Sequence, residues 1–483
     1  MTSTISSQAV NGVKWTSIST IGRAIIQLAQ LSIVAHFLSA QDLGLYALLQ
    51  VSITFCQIFV GGGIANAIVQ QKKTSERHLS ELFIINLLVS FIVSICFFYL
   101  APLVALFFEQ SALQSYIELV SFAFIIVALS QIHFAILQKQ LAFAVIAKIE
   151  LLSSIMGFTI VVLLIKYDYG IKSLVYGYLS LISIQSILFW LTNSFKPTFC
   201  FPHSWRELRG YLSFGAYQTG STFVNYFNSQ FDLILVGKIF GVEVLGGYSL
   251  VRQFCFRPAM VINPVLMKVA FPVMSKIQEY SKLSIVFCNL SKALAFINFP
   301  LYVAFIIFAD PIIDIFFGSQ WLHMLPIFQL ISLWCLLRSI VNPVGALLMA
   351  VGKVKLAFYW NCFLLVIYPA TIMLGSIWGV EGVAISLVVL QVCLLPSQWI
   401  YLLKKSVGIS FVDFFGSFKI PLLLSLISGG VAEVLVSQIS TMYNLVELVI
   451  GVLCGALVYI VLSYKYNPFL RHVLHEKLYL EFK

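Results

Sequence analysis

The sequence is poor in charged residues and contains no long polar segment. Only 10% of its 483 residues are charged, against about 25% in an ordinary soluble domain, and 60% are hydrophobic. The hydrophobic residues form successive runs of roughly 20 residues, each long enough to cross a bilayer as a helix. They do not alternate with polar residues over about ten positions, as barrel strands do. The composition therefore excludes a soluble domain and predicts an all-α integral membrane protein.

Signals for secretion, metal binding and early helix breaks are also missing. The N-terminal segment MTSTISSQAVNGVKW has no basic start, short apolar core or cleavage site, so it predicts no removable signal peptide. The nine Cys residues show no metal-ligand spacing, and we expect neither a metal nor a cofactor. Of 14 Pro residues only Pro102 precedes residue 196. Helix kinks are therefore expected later in the chain, with Gly61-Gly62-Gly63 as the soft point of the first half.

The apolar runs predict fourteen membrane spans joined by short loops. Their centres lie near residues 26, 57, 95, 126, 154, 182, 226, 260, 298, 337, 367, 390, 428 and 453. Of the 29 Lys and Arg residues, three (Lys166, Lys172 and Lys238) lie on one side and four within spans, which leaves 22 (29 − 3 − 4) on the side of the N-terminus. Since basic loops stay in the cytoplasm, both termini are predicted to be cytoplasmic. The formal charge of +10 reflects this bias and favours anionic membrane lipids over nucleic acid.

One short motif occurs twice in the chain. LGLYALL at Leu43 to Leu49 and LGGYSLV at Leu245 to Val251 are offset by 202 residues (245 − 43). The helix before each copy carries polar residues at the spacing of one helical face. These are Thr16, Thr20, Arg23, Gln27 and Gln30 in the first copy, and Gln218, Thr222, Asn225, Ser229 and Asp232 in the second. We expect two parallel six-helix lobes, residues 1–195 and 196–405, with a shared site between them. Residues 406–483 would add two helices and a cytoplasmic tail.

Charged residues within the predicted spans are the candidate site residues, because a charge in hydrocarbon costs at least about 2.5–3.5 kcal/mol. Arg23, Arg257 and Arg338 lie at similar depths near mid-membrane and indicate a cavity for an anion. A guanidinium suits phosphoryl oxygens because it makes two charge-assisted hydrogen bonds and keeps its proton. Arg252 lies nearer the periplasmic end and either joins this cavity or snorkels to the interface.

Uncharged polar residues and acidic residues complete the set of candidates. Gln27, Gln30, Asn225 and Ser229 are expected either to line the cavity or to hold helices together by hydrogen bonds. Asp232 is the candidate for ion coupling. Lys148 and Glu150 are interpreted as interfacial residues near the cytoplasmic end of the fifth span.

Three segments carry a resemblance to a known family: VNGVKWTSISTIGRAIIQLAQLSIVAHFLSAQDLGLYALLQ, GGGIANAIVQQ and FPVMSKIQ. They resemble the polysaccharide transporter (Wzx-type flippase) family of the multidrug/oligosaccharidyl-lipid/polysaccharide superfamily, especially its colanic-acid and lipopolysaccharide exporters. The resemblance implies a MATE-like fold of two six-helix lobes and two C-terminal helices. It also implies alternating-access export of an undecaprenyl-pyrophosphate-linked oligosaccharide, a unit of O-antigen, capsule or exopolysaccharide, across the bacterial inner membrane. Arg23, Arg257 and Arg338 would supply the family's cationic cavity, with Arg252 beside them.

The expected partners are the lipid-linked oligosaccharide, membrane lipids, a counter-ion (H⁺ or Na⁺) and a glycan polymerase. A cation-coupled multidrug exporter of the same superfamily is the alternative. A membrane enzyme would need reactive groups on an external loop. The longest candidate, ADPIIDIFFGSQWLHM, contains Asp310, Asp314 and His323 without catalytic or metal spacing, so we expect a transporter and not an enzyme.

Overall fold

The computed structural model describes residues 2–60, 62–71, 74–198, 205–277, 279–438 and 444–466. This part of the chain is almost entirely helical and contains no strand. Its α-helices are α1 (Thr2–Phe37), α2 (Ala40–Gln57), α3 (Gly62–Gln70), α4 (Glu76–Phe107), α5 (Ser111–Ser121), α6 (Ala123–Lys139), α7 (Phe143–Lys166), α8 (Ile171–Thr192), α9 (Trp205–Lys276), α10 (Tyr280–Ile307), α11 (Ala309–Phe316), α12 (Leu325–Ser339), α13 (Val344–Ala350), α14 (Val354–Gly375), α15 (Gly379–Gln398), α16 (Lys405–Val407), α17 (Phe411–Gln438) and α18 (Asn444–Tyr466). Two 3₁₀ helices (Ser319–Met324 and Ser376–Trp378) and a π-helical turn (Trp399–Lys404) complete them.

The helices agree with the predicted spans. Within the described ranges, eleven helical segments are long and apolar enough to cross a membrane. Two of them, Trp205–Pro264 and Val354–Val407, contain two predicted span centres each, and the centre near residue 57 lies at the end of α2. The prediction of an all-α membrane protein with about fourteen spans is confirmed.

Some predicted features lie outside the described residues. They are Gly61 of the glycine soft point, the basic loop residues Lys72 and Lys73, Cys200, and the C-terminal tail 467–483.

The chain forms two compact units: unit 1 is Met1–Ser249 and unit 2 is Leu250–Lys483. The boundary lies within α9, which is interrupted at Gly241, where φ is 82° and ψ is 176°. A positive φ is accessible to glycine at no steric cost. The break in α9 is therefore at a glycine, and the expected proline kinks stay a prediction. The predicted lobe boundaries at residues 195/196 and 405/406 stay predictions.

Inside unit 1, the two copies of the repeated motif touch each other. A methyl group on Gly44 would overlap the carbonyl oxygen of Val242, and one on Gly246 would overlap that of Ala40. Both residue pairs are related by the same offset of 202 (246 − 44 and 242 − 40). The contact is thus reciprocal, and only glycine allows the two backbones to approach so closely.

Further contacts join α2 and α3 to the first part of α9. Near the other end, a Cβ on Gly63 would lie 2.6 Å from the carbonyl oxygen of Gly215. Between the two glycine contacts, the Tyr226 hydroxyl donates to the carbonyl oxygen of Val51 at 2.8 Å. The Tyr226 ring lies 5.6 Å from that of Phe55. These contacts fix both helices over a long stretch of unit 1.

In unit 2, the last two helices pack on α10. Gly429 of α17 leaves space for the side chains of Val303 and Ile307, and the Tyr459 hydroxyl of α18 donates to the carbonyl oxygen of Phe296 at 3.0 Å. The π-helical turn Trp399–Lys404 follows Pro396, which lies inside α15. A proline removes one helical hydrogen bond, and such irregular turns accompany this loss.

Candidate functional site

The polar stripe of α1 uses most of its hydroxyl groups on its own backbone. Thr16 donates to the carbonyl oxygen of Gly12 at 2.7 Å, and Thr20 donates to that of Thr16 at 2.8 Å. The second copy repeats this bond, since Thr222 donates to Gln218 at 2.9 Å. Of the predicted lining residues on α1, Gln27 is exposed and Gln30 is half-buried. The stripe is a real feature of both copies, and its Thr hydroxyls are satisfied locally.

Arg23 forms an ion pair within unit 1. Its Nη2 lies 3.1 Å from Oε2 of Glu150 on α7. The same carboxylate oxygen accepts a hydrogen bond from the fully buried Ser19 at 3.3 Å. The interfacial interpretation of Glu150 stays a prediction, and the structure adds that its carboxylate pairs with an arginine of the span Lys14–Phe37.

Glycines on α1 allow α7 to approach the pair. A Cβ on Gly12 would lie 2.8 Å from the Phe143 ring, and one on Gly22 would lie 2.8 Å from the Leu151 side chain. The two helices run in the same direction, since positions rise together along both. This spacing brings the carboxylate of Glu150 to the Ser19 and Arg23 face of α1.

Lys148 on α7, the other residue interpreted as interfacial, contacts a different residue of α1 from those that Glu150 contacts. Its ammonium lies 5.1 Å from the centroid of the Trp15 ring, an attractive arrangement for a cation over an aromatic face. These two charged residues of α7 thus have different partners on α1: Lys148 contacts an aromatic ring and Glu150 pairs with Arg23.

The second polar stripe contains the predicted ion-coupling residue. Asp232 is buried, and one of its carboxylate oxygens accepts a hydrogen bond from the equally buried Tyr248 hydroxyl at 3.1 Å. Ser229 donates to the carbonyl oxygen of Tyr226 at 2.8 Å, and Asn225 is exposed. Asp232 is thus held by the tyrosine of the repeated LGGY motif.

Two arginines of unit 2 share one aromatic ring. The guanidinium carbon of Arg252 lies 4.8 Å from the ring centroid of Phe256, and that of Arg338 lies 5.5 Å from the same centroid. Arg338 also lies 5.4 Å from the Trp334 ring, and the Phe256 and Trp334 rings are themselves 5.4 Å apart. We call Arg252, Phe256, Trp334 and Arg338 the guanidinium–aromatic cluster.

The helical spacing explains how the guanidinium–aromatic cluster forms. Arg252 and Phe256 are four residues apart on α9, and so are Trp334 and Arg338 on α12, so each pair shares a helical face. The Trp334 side chain is buried, and within the described part of the chain its ring N–H has no hydrogen-bond acceptor. The cluster therefore combines two permanent cations with one unused donor.

The burial of Arg252 decides between its two predicted roles, and Arg257 remains a candidate site residue. Arg252 is only 8% exposed, so the expectation that it snorkels to the interface is wrong. Arg257 is half-buried on the same helix. The structure brings Arg252 and Arg338 together on Phe256, whereas Arg23 belongs to unit 1 and contacts Glu150.

The loop considered for catalysis, which contains Asp314 and His323, uses these polar groups in local contacts. Asp314 accepts a hydrogen bond from Asn444 at 2.8 Å, and a ring nitrogen of His323 lies 2.9 Å from the carbonyl oxygen of Gln320. The His323 ring stacks on Trp321 with centroids 6.0 Å apart. These contacts join α11 to the start of α18 and shape the loop.

Comparison with solved structures identifies a similar multi-helix architecture. A solved structure of the lipid II flippase MurJ in an inward closed conformation superposes with a TM-score of 0.77 at 18% identity, covering 94% of this chain and 99% of that chain. This likeness confirms the predicted fold.

The chain belongs to the Polysaccharide biosynthesis protein family, whose model matches residues 33–326. It is 31% identical over 473 residues to the teichuronic acid biosynthesis protein TuaB of Bacillus subtilis (strain 168), covering 96% of this chain and 97% of the relative. It is 29% identical over 423 residues to the lipopolysaccharide biosynthesis protein WzxC of Escherichia coli (strain K12), covering 87% and 86%. The resemblance predicted from the sequence is confirmed.

Proposed function

We propose that the protein is a flippase that carries an undecaprenyl-pyrophosphate-linked oligosaccharide across the bacterial inner membrane by alternating access. The observation that carries this proposal is the guanidinium–aromatic cluster, in which Arg252 and Arg338 hold two positive charges on Phe256 inside membrane-spanning segments. Membership in a family of polysaccharide biosynthesis proteins supports a glycan as the cargo.

The cluster suits a pyrophosphate head group. Guanidinium forks donate paired hydrogen bonds to phosphoryl oxygens, and low local polarity strengthens these bonds. The Phe256 face attracts both cations and helps to keep them in position. The Trp334 N–H offers a further donor for a phosphoryl or sugar oxygen. Arg23 and Arg257 complete the proposed set of substrate-binding arginines, and Gln27, Gln30, Asn225 and Ser229 are the proposed polar lining.

Both termini are proposed to be cytoplasmic, in agreement with the distribution of Lys and Arg. In this orientation the head group enters from the cytoplasmic leaflet while its lipid tail stays in the bilayer. Outward movement of an anion is favoured by about 2.3 kcal/mol per charge per 100 mV when the interior is negative. Asp232 is the proposed site for a coupling ion, H⁺ or Na⁺, and a glycan polymerase is the proposed partner that receives the exported unit.

Substitution of Arg338 tests the proposal. In a deletion strain that makes the glycan only with a plasmid copy, R338Q should abolish surface glycan at unchanged protein level, because the neutral amide cannot hold the pyrophosphate. R338K should retain part of the export, since lysine keeps the charge but loses the planar fork. Surface glycan is measured by blotting of whole cells, and the exposed Lys355, changed to Gln, is the control.

The proposal fails if R23A, R257A and R338A each export normally. Drug susceptibility of the deletion strain separates the multidrug alternative. We expect no change in susceptibility, whereas increased susceptibility with unchanged surface glycan would favour a drug exporter.

A further inference from the structure

The ion pair of Arg23 and Glu150 joins α1 to α7 within unit 1. Both residues belong to helices long and apolar enough to cross a membrane. The two side chains are 34% and 19% exposed, so the pair is reachable from one side. A second molecule can therefore approach Arg23 without disrupting the packing of α1 on α7.

The Arg23 guanidinium is only partly used in this pair. Nη2 contacts Glu150, while Nε is buried and, among the described residues, has no hydrogen-bond partner. A guanidinium has five N–H donors arranged for bidentate contacts with a carboxylate or phosphate. A single carboxylate oxygen at Nη2 leaves this capacity incomplete.

The Glu150 carboxylate, in contrast, is positioned by two residues of α1. The Ser19 hydroxyl donates to the oxygen that Arg23 contacts, and Ser19 precedes Arg23 by one helical turn on α1. Lys148, the nearest cation in sequence, lies over the Trp15 ring. The Glu150 carboxylate thus contacts both Arg23 and Ser19, and the Ser19 hydroxyl orients it towards the guanidinium.

A flippase that binds an anion through arginines has a difficulty in its empty state. An unpaired arginine would be costly in hydrocarbon, and this cost opposes return of the empty carrier. An internal anion that pairs with the arginine only in the empty state removes this problem.

We propose that Glu150 is the internal counter-anion of Arg23. It neutralises Arg23 while the site is empty and is displaced by a phosphoryl oxygen when the lipid-linked pyrophosphate binds. Arg23 therefore stays paired throughout the cycle, and the empty pair returns without net charge. This inference rests on the proposed function and adds a residue, on α7, that decides how tightly the head group is held and how readily the carrier resets.

Binding and export should respond to Glu150 in opposite directions. In E150Q the amide keeps the size of the side chain and an acceptor for Ser19 but no longer competes for Arg23. We expect purified E150Q in lipid nanodiscs to bind undecaprenyl pyrophosphate about five- to tenfold more tightly than wild type, the low end of ordinary coupling between linked sites. Surface glycan in cells should nevertheless fall, because the empty carrier resets poorly.

Three further variants define the mechanism. R23Q should bind the probe more weakly than wild type, and R23Q/E150Q should bind no more tightly than R23Q, because Glu150 acts through Arg23. E150D, which keeps the charge, should restore export. E109Q is the matched control, since Glu109 also pairs with a cation in unit 1, Lys238 at 2.8 Å, but is itself outside the candidate spans, and it should change neither readout.

The outcomes separate this inference from the proposed function. If E150Q binds the probe as weakly as R23Q, Glu150 only positions Arg23 and the counter-anion idea is overturned. Unchanged binding and export in E150Q overturn it as well. If wild type does not bind undecaprenyl pyrophosphate above its binding of phosphatidylglycerol, the proposed function fails, and this inference fails with it.

Discussion

The Phe256 ring lies beside two arginines within membrane-spanning segments, where even one charged side chain is costly. Its ring lies within 5.5 Å of both Arg252 and Arg338, and an aromatic face attracts a cation without donating a counter-charge. The carboxylate at Arg23 does the opposite, since it cancels the charge it contacts. The two units thus place different groups beside these arginines, an aromatic ring beside Arg252 and Arg338 and a carboxylate beside Arg23.

Replacement of Phe256 tests this difference. F256L keeps an apolar side chain but removes both cation–aromatic interactions, each worth about 0.5–2 kcal/mol. Affinity for undecaprenyl pyrophosphate in nanodiscs should fall by roughly two- to thirtyfold for each interaction removed. F254L is the matched control, because Phe254 lies two residues away in a purely aromatic environment with Phe305 and Phe328. An equal fall in affinity in the two variants would contradict a specific role for Phe256.

Sequence patterns located the intramembrane arginines but not their partners. A charged residue within an apolar run can be recognised from the sequence alone. Arg23, Arg252, Arg257 and Arg338 were identified in this way. Whether a neighbour is a ring or a carboxylate depends on which helix packs alongside. For this reason the sequence does not predict the pairing of Glu150 with Arg23, or the roles of Phe256 and Trp334 beside the other arginines. Their one available signal was spacing, because Arg252 and Phe256, like Trp334 and Arg338, are four residues apart.

At the scale of helices, the glycines of the repeated motif decide how closely two segments approach. Gly44 of α2 and Gly246 of α9 each face the backbone of the other copy. Helices in lipid associate through such close approaches, since no hydrophobic force drives them together. The sequence revealed the repetition of these glycines at a fixed offset, but the reciprocal contact is a property of the folded chain.

Alanine at either glycine should disturb this contact. G44A and G246A each force a methyl group into a carbonyl oxygen, and overpacking of this kind costs about 1–3 kcal/mol. We expect a lower midpoint of thermal unfolding for each purified variant. Because both residues act on one contact, the double variant should be destabilised by less than the sum of the two single effects.

The matched control is Gly220, which lies on α9 with no heavy atom near its added Cβ. Alanine in an open helical position is favoured over glycine by about 0.8–1.0 kcal/mol, so G220A should be neutral or stabilising. If G44A and G246A behave like G220A, the close contact does not contribute to stability.

At the scale of the whole molecule, orientation follows from the distribution of a few basic residues. Lys172 and Lys355 are both exposed and lie at the second position of α8 and α14, on opposite predicted sides. In a variant without native cysteines, K172C should react with a membrane-impermeant maleimide in intact cells. K355C should react only after permeabilisation, because it is predicted to face the cytoplasm. The reverse pattern would invert the proposed topology.

The reciprocal glycine contact has the symmetry of a contact between two identical chains. When residue i of one chain touches residue j of an identical copy, and j touches i, the contact is that of a two-fold symmetric dimer. Gly44 with Val242 and Gly246 with Ala40 obey this rule within a single polypeptide. This is the geometry through which a half-length chain would pair with a second copy of itself. The two sides now differ, since alanine and valine occupy the equivalent positions 40 and 242.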